Sequence, residues 1–155
     1  MNRILLGFLA TALLTVPLLA GCKTAKVAAN LVSNRTTFQQ DESGKDTIRL
    51  TGKLEEGDSL RHDDESFEDQ YNVRFEAGDT VRITMTAKNF AFDTYLLVSD
   101  PEGEEAGQND DCVDGDPAQG SCLAIIVAKT GNYTIHANSF EAGEVGEYDI
   151  VIEKL

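Results

Sequence analysis

The chain has no tryptophan, only two histidines and only three cysteines in 155 residues. Three cysteines are too few to build a cystine-held miniprotein. Basic side chains are scarce as well: 13 Lys and Arg stand against 27 Asp and Glu, a formal charge of −14. That shortage excludes nucleic acid, whose phosphates need Lys and Arg, and it excludes an electrostatic grip on anionic lipid. The signatures of nucleophilic, metallopeptidase, phosphate-loop and dinucleotide chemistry are all missing. No stretch sustains a helical period. His136 alternates with Ile135 and Ala137, and His62 neighbours Asp63 and Asp64, so both read as ordinary surface histidines rather than general bases. With 27 acids some carboxylate pair suited to glycoside hydrolysis always exists, but nothing singles one out.

What remains is a globular composition, 41% hydrophobic and 26% charged, at a length that holds one domain. The start of the chain is different. Asn2 and Arg3 precede an uncharged run from Ile4 to Gly21, the layout of a secretory signal. A transmembrane helix is the competing reading, but 18 residues barely span a bilayer. Pro17 sits late in the run, and no basic stop-transfer cluster follows at once. Leu19-Ala20-Gly21-Cys22 resembles the lipobox of bacterial lipoproteins. That resemblance implies cleavage before Cys22, diacylation of its thiol and attachment to a bacterial cell envelope. With Lys23 rather than Asp next in line, it implies the outer membrane if the organism is diderm. Two acyl chains hold firmly, because each buried CH₂ contributes about 0.8 kcal/mol.

Residues 22–45 read as a lipidated N-terminus and flexible tether. They are rich in Ala, Asn, Thr, Gln and Ser and span about 25–30 Å as coil. Val27–Val32 could form a turn or two of helix, and Asn34-Arg35-Thr36 matches a glycosylation triplet of little weight in such a protein. Residues 46–155 carry 8 basic and 25 acidic side chains, a net −17. Here the apolar period becomes two, in Ile48–Leu54, Tyr71–Phe75, Val81–Met85, Tyr133–Ala137 and Tyr148–Ile152. Thr94–Val98 and Leu123–Val127 are apolar on both faces and read as central strands. Turn chemistry separates them, as in Glu76-Ala77-Gly78-Asp79 and Asp100-Pro101-Glu102-Gly103. Seven to eight short antiparallel strands imply an all-β sandwich, immunoglobulin-like or jelly-roll-like.

Six pieces in order carry a family resemblance. They are Gly52-Lys53-Leu54 with Gly57-Asp58, Asp69–Phe75 with Ala77-Gly78-Asp79, Phe92–Val98 with Asp100–Gly103, Asn109-Asp110-Asp111, Thr130–Ile135 and Gly146–Ile150. Together they resemble the bacterial pre-peptidase C-terminal domain over residues 47–153. The resemblance implies a jelly-roll-like sandwich. Some relatives bind matrix and calcium, but the peptidase that usually precedes the domain is missing here.

Between Val98 and Cys122 the sequence reads as a long polar loop holding Glu102, Glu104, Glu105, Asn109, Asp110, Asp111, Asp114 and Asp116. In an exported chain Cys112 and Cys122 are expected to pair, since a thiol zinc site lacks nearby His. Asn109, Asp110 and Asp111, with Asp93, are hard oxygen ligands of the kind calcium takes. The same residues also suit a solvated acidic loop with Asp-capped turns. The expected function is a non-enzymatic, envelope-anchored binding or accessory module, with calcium as a candidate stabilising ion, contacting an extracytoplasmic protein or glycan. The alternative is a surface-coating lipoprotein with no specific ligand.

Overall fold

Residues of period two pair into two five-stranded sheets. In this computed structural model the described residues are 37–61, 63–112 and 120–155. One sheet runs β1 (Gln39–Gln40), β2 (Asp46–Leu54), β10 (Gly146–Lys154), β5 (Thr80–Ala87) and β8 (Gly120–Ile126). The other runs β3 (Ser59–Leu60), β4 (Phe67–Phe75), β9 (Gly131–Ser139), β6 (Thr94–Ser99) and β7 (Glu105–Asn109). Every pairing is antiparallel. Set aside the two-residue strands β1 and β3. The first, eighth, third and sixth of the remaining strands then share one sheet, and the second, seventh, fourth and fifth share the other. That is jelly-roll order, so topology makes the choice that periodicity left open.

The inner faces pack into one hydrophobic core. Phe75, Phe92, Tyr133, Tyr148, Leu54, Ile83, Met85, Leu96, Ile135, Ile150 and Ile152 are fully buried. The rings of Phe75 and Tyr133 lie 5.4 Å apart, and Phe92 meets Tyr148 edge-on at 6.4 Å. Each such side chain contributes about 1.5–3 kcal/mol by leaving water.

Four expectations need correction. The stretch after Val98 is not all loop: Glu105–Asn109 forms β7, paired to β6. It lacks alternation, and Gly107 explains its place. A Cβ there would press on Leu123 and Ile125 at 3.2–3.3 Å, so the glycine lets β7 close against β8. Leu123–Val127 is not central; β8 is an edge strand, and its two apolar faces reflect contact with β7 on one side and an outward Ile126, 78% exposed, on the other. β6 does pair on both sides, as expected. The ordered sandwich also begins before residue 46. Phe38 packs 6.1 Å from Phe75 beneath the Lys154 ammonium, Gln39 and Gln40 pair with β2, and the Asp41 carboxylate ties the turn that follows. His136 is not an ordinary surface histidine, for reasons given below. Cys22, Val27–Val32, the Asn34 triplet, His62, Asp114 and Asp116 lie outside the described residues.

The two sheets are pinned by polar groups as well as packing. Tyr71 Oη and Tyr148 Oη are 2.7 Å apart, and Tyr148 Oη donates to Asp69 at 2.6 Å. Burial raises Tyr71 to about 12 and Tyr148 further still. Asp69 is also raised, first by burial and then by the charges of Asp58, Glu55 and Glu68, against the bond from Tyr148. The neutral carboxyl is therefore the form the fold favours. Its stabilising contribution is present below the unfolded value of about 3.9 and is lost as pH rises through the folded value. Asp69→Asn keeps an acceptor for Tyr148 and removes the charge. It is expected to raise Tm at pH 7, with the gain over wild type closing as pH falls to about 3. A lower Tm for the variant at pH 7 would contradict this account.

Candidate functional site

Among the described residues the side chains between the sheets are buried, and the outer surfaces carry the candidate recognition chemistry. The outer face of the β3-to-β7 sheet is the one with built chemistry. After β3, Arg61 and residues 64–66 are tied to one another. Arg61 N donates to the Ser66 carbonyl at 2.9 Å and Glu65 N to the Arg61 carbonyl at 3.0 Å. Asp64 accepts from Ser66 N and Oγ and pairs with the Arg61 guanidinium at 3.0 Å. So anchored, Arg61 sits 4.6 Å over the Tyr95 ring, a cation–π contact. Tyr95 Oη donates to Gln108 Oε1, and the Tyr95 and Phe140 rings lie 6.5 Å apart. Phe140 is 49% exposed, and Leu60, beside Arg61, is 56% exposed. Asn138 opposes Tyr95 and Glu68 in the ladder and is fully buried; neither its amide nitrogen nor its oxygen has a partner among the described residues.

The same face carries a chain of three side chains. Glu68 Oε2 lies 2.8 Å from His136 Nδ1, and His136 Nε2 lies 3.0 Å from Ser99 Oγ. The His136 side chain is only 14% exposed. Its outward direction is as expected, but it lies between β4 and β6, opposite Gln70 and Leu97 and bonded to Glu68 and Ser99. Burial pulls Glu68 upward. Hydrogen bonds from His136 and Gln70, with the charges of His136 and Arg61, outweigh burial and hold the carboxyl below its ordinary value. The order Ser–His–Glu is that of a nucleophile relay. A relay also needs donors for an oxyanion, and the turn after Ser99 spends its own: Asp100 N bonds Glu104, Gly103 N bonds the Asp100 carbonyl, and Glu102 N and Glu104 N bond the Asp100 carboxylate. The chain of contacts is a diagonal cross-strand ladder that orients His136. No sequence spacing signals it, because residues 68, 99 and 136 meet only through β4, β9 and β6.

At the end of this face lies the acidic group expected from sequence. The β6–β7 ladder, with Leu96 opposite Asn109, sets Asp93 before the start of β6 at the same end as Asp110 and Asp111 after the end of β7. Burial first, then the charges of Asp111, Asp110 and Glu141, raises the Asp93 carboxyl. Asn109 serves another end: its amide nitrogen donates to the Cys122 carbonyl at 2.7 Å and to the Asp111 carbonyl. With the Cys112–Cys122 disulfide, present as expected, it braces β7 against β8. Among the described residues no group of three or more His, Cys, Asp or Glu is arranged to hold a metal ion.

The result is a jelly-roll sandwich with a closed core and an aromatic, guanidinium-capped outer patch rimmed by acids. No family model matches the sequence, and no curated protein matches it. Solved structures with a similar fold include PliG of Aeromonas hydrophila, a periplasmic inhibitor of g-type lysozyme. It is 17% identical over 79% of this chain and 98% of that one, with a TM-score of 0.49. PliG of Salmonella Typhimurium is 13% identical over 78% and 96%, with a TM-score of 0.49. The pre-peptidase C-terminal domain of Bacillus anthracis collagenase is 14% identical over 67% and 86%, with a TM-score of 0.47. These likenesses are ones of fold.

Proposed function

We propose that this protein is a non-catalytic binding module, held in the cell envelope by a lipid on Cys22, whose recognition surface is the outer face around Arg61, Tyr95 and Phe140. The observation that carries the reading is the exposed Phe140 ring beside the half-buried Tyr95 ring and a guanidinium fixed by Asp64, on the outer face of the sandwich. Tyr, Phe and Arg are the side chains that anchor contacts between macromolecules. The partner is an extracytoplasmic protein or glycan. The full chain, solubilised in detergent, is expected to capture a saturable partner. Tyr95→Ala or Phe140→Ala is expected to weaken capture about tenfold or more, with Phe140→Ala changing Tm little. Binding without saturation, indifferent to both variants, would favour the surface-coating alternative.

The anchor is tested separately: palmitate labelling that persists after Cys22→Ser removes the lipid from this reading. Calcium is a further element of it, since a divalent ion would relieve the repulsion around Asp93. A rise in Tm at millimolar calcium, abolished by Asp111→Asn, would place the ion there; an unchanged Tm leaves a solvated acidic rim.

A further inference from the structure

We infer that the occupant of this patch is a basic protein, whose lysine enters the Asp93, Asp110 and Asp111 rim while an apolar neighbour packs on Phe140 and Tyr95. This rests on the reading of that face as the recognition surface, and it adds the partner's chemistry.

The distribution of charge is the argument. Residues 46–155 carry a net −17, which repels acidic surfaces and steers cationic ones. Most of the few cations in this region pair elsewhere. Lys154 pairs with Asp79 at 2.7 Å, Lys129 with Asp100 at 3.2 Å, Lys88 with Asp149 at 3.3 Å and Arg74 with Glu76 at 3.3 Å. Asp93, Asp110, Asp111 and Glu141 have no Lys or Arg within ion-pair distance among the described residues, although their charges bear on one another. A cation supplied from outside completes what the chain leaves uncompensated. The rim adjoins the aromatics directly, since Phe140 N donates to the Asp93 carbonyl at 2.9 Å. Arg61 does not oppose a cation, because Asp64 balances it. A neutral glycan would use the rings and leave the carboxylates idle.

The test uses the full chain in its own membrane, with a benzophenone amino acid at position 140 and, as a control, at 126. Carbodiimide then couples carboxylates to amines in contact. Under this inference the adduct at 140 contains a protein with a lysine joined to Asp93, Asp110 or Asp111. Asp93→Asn/Asp110→Asn/Asp111→Asn, with Tm near wild type, cuts that adduct at least tenfold. Glu141→Lys, a single exposed change, reduces it severalfold if the triple variant folds poorly. A saccharide adduct, or a protein adduct indifferent to these variants, overturns the basic partner and leaves the recognition surface standing. Adducts at 126 alone, or at neither position, overturn both.

Discussion

Gly52→Ala is expected to destabilise the protein by about 3 kcal/mol or more, seen as a fall in Tm of roughly 10–20 °C. Gly52 lies on β2, opposite Tyr148 of β10. A Cβ there would overlap Tyr148 Oη and Cζ and Tyr71 Oη. Neither ring can swing away freely. The hydroxyls bond each other at 2.7 Å, Tyr148 is tied to Asp69 at 2.6 Å, and both rings are buried between the sheets. The added methyl must part the sheets or break the pair, and a broken pair leaves buried hydroxyls unsatisfied, at about 1–3 kcal/mol each. Lys53→Ala, at the exposed neighbour, is expected to change stability by no more than about 0.5 kcal/mol. Denaturant melts of both variants check the contrast. A Gly52→Ala protein within about 1 kcal/mol of wild type would mean the tyrosine pair is not the pin described.

Removing the disulfide with Cys112→Ser/Cys122→Ser is expected to cost about 3 kcal/mol, the chain-entropy value for a loop of this length; the cysteines are ten residues apart in sequence. Its location gives it a second consequence. The bridge fastens the end of β7 to edge strand β8, beside the bonds from Asn109 to the Asp111 and Cys122 carbonyls. Without it, Asp110 and Asp111 lose their fixed distance from Asp93, so partner capture should weaken along with stability. Wild-type protein in reductant should behave like the double variant in denaturant melts. A loss below about 0.5 kcal/mol in both would show that Asn109 holds the edge by itself.

Much of this was readable in residue order. The alternation of Tyr133-Thr134-Ile135-His136-Ala137 identifies a strand with one buried face, and the observed burial follows it. Gly78, at φ 92°, and Gly103, at φ 86°, stand in the turns their neighbours imply. Other features were not readable. Glu105–Asn109 has too little apolar content to look like a strand and becomes one because β6 offers a free edge. Leu123–Ile126 has the composition of a central strand, but that composition arises from contact across the sandwich edge with β7.

The recognition face shows the same division. Phe140 is exposed, but its pairing with Tyr95, and Arg61 above that ring, depend on three segments meeting through β-pairing. The sequence by itself determined a period-two, acid-rich, disulfide-braced sandwich, because burial alternates with the pleat and net charge is a sum over residues, whatever their placement. Only the tertiary structure decided which acids have cationic partners and which do not, that Glu68, His136 and Ser99 line up, and that one outer face carries Tyr95 and the exposed Phe140 ring. Those are relations between strands distant along the chain, and residue order holds no record of strand register.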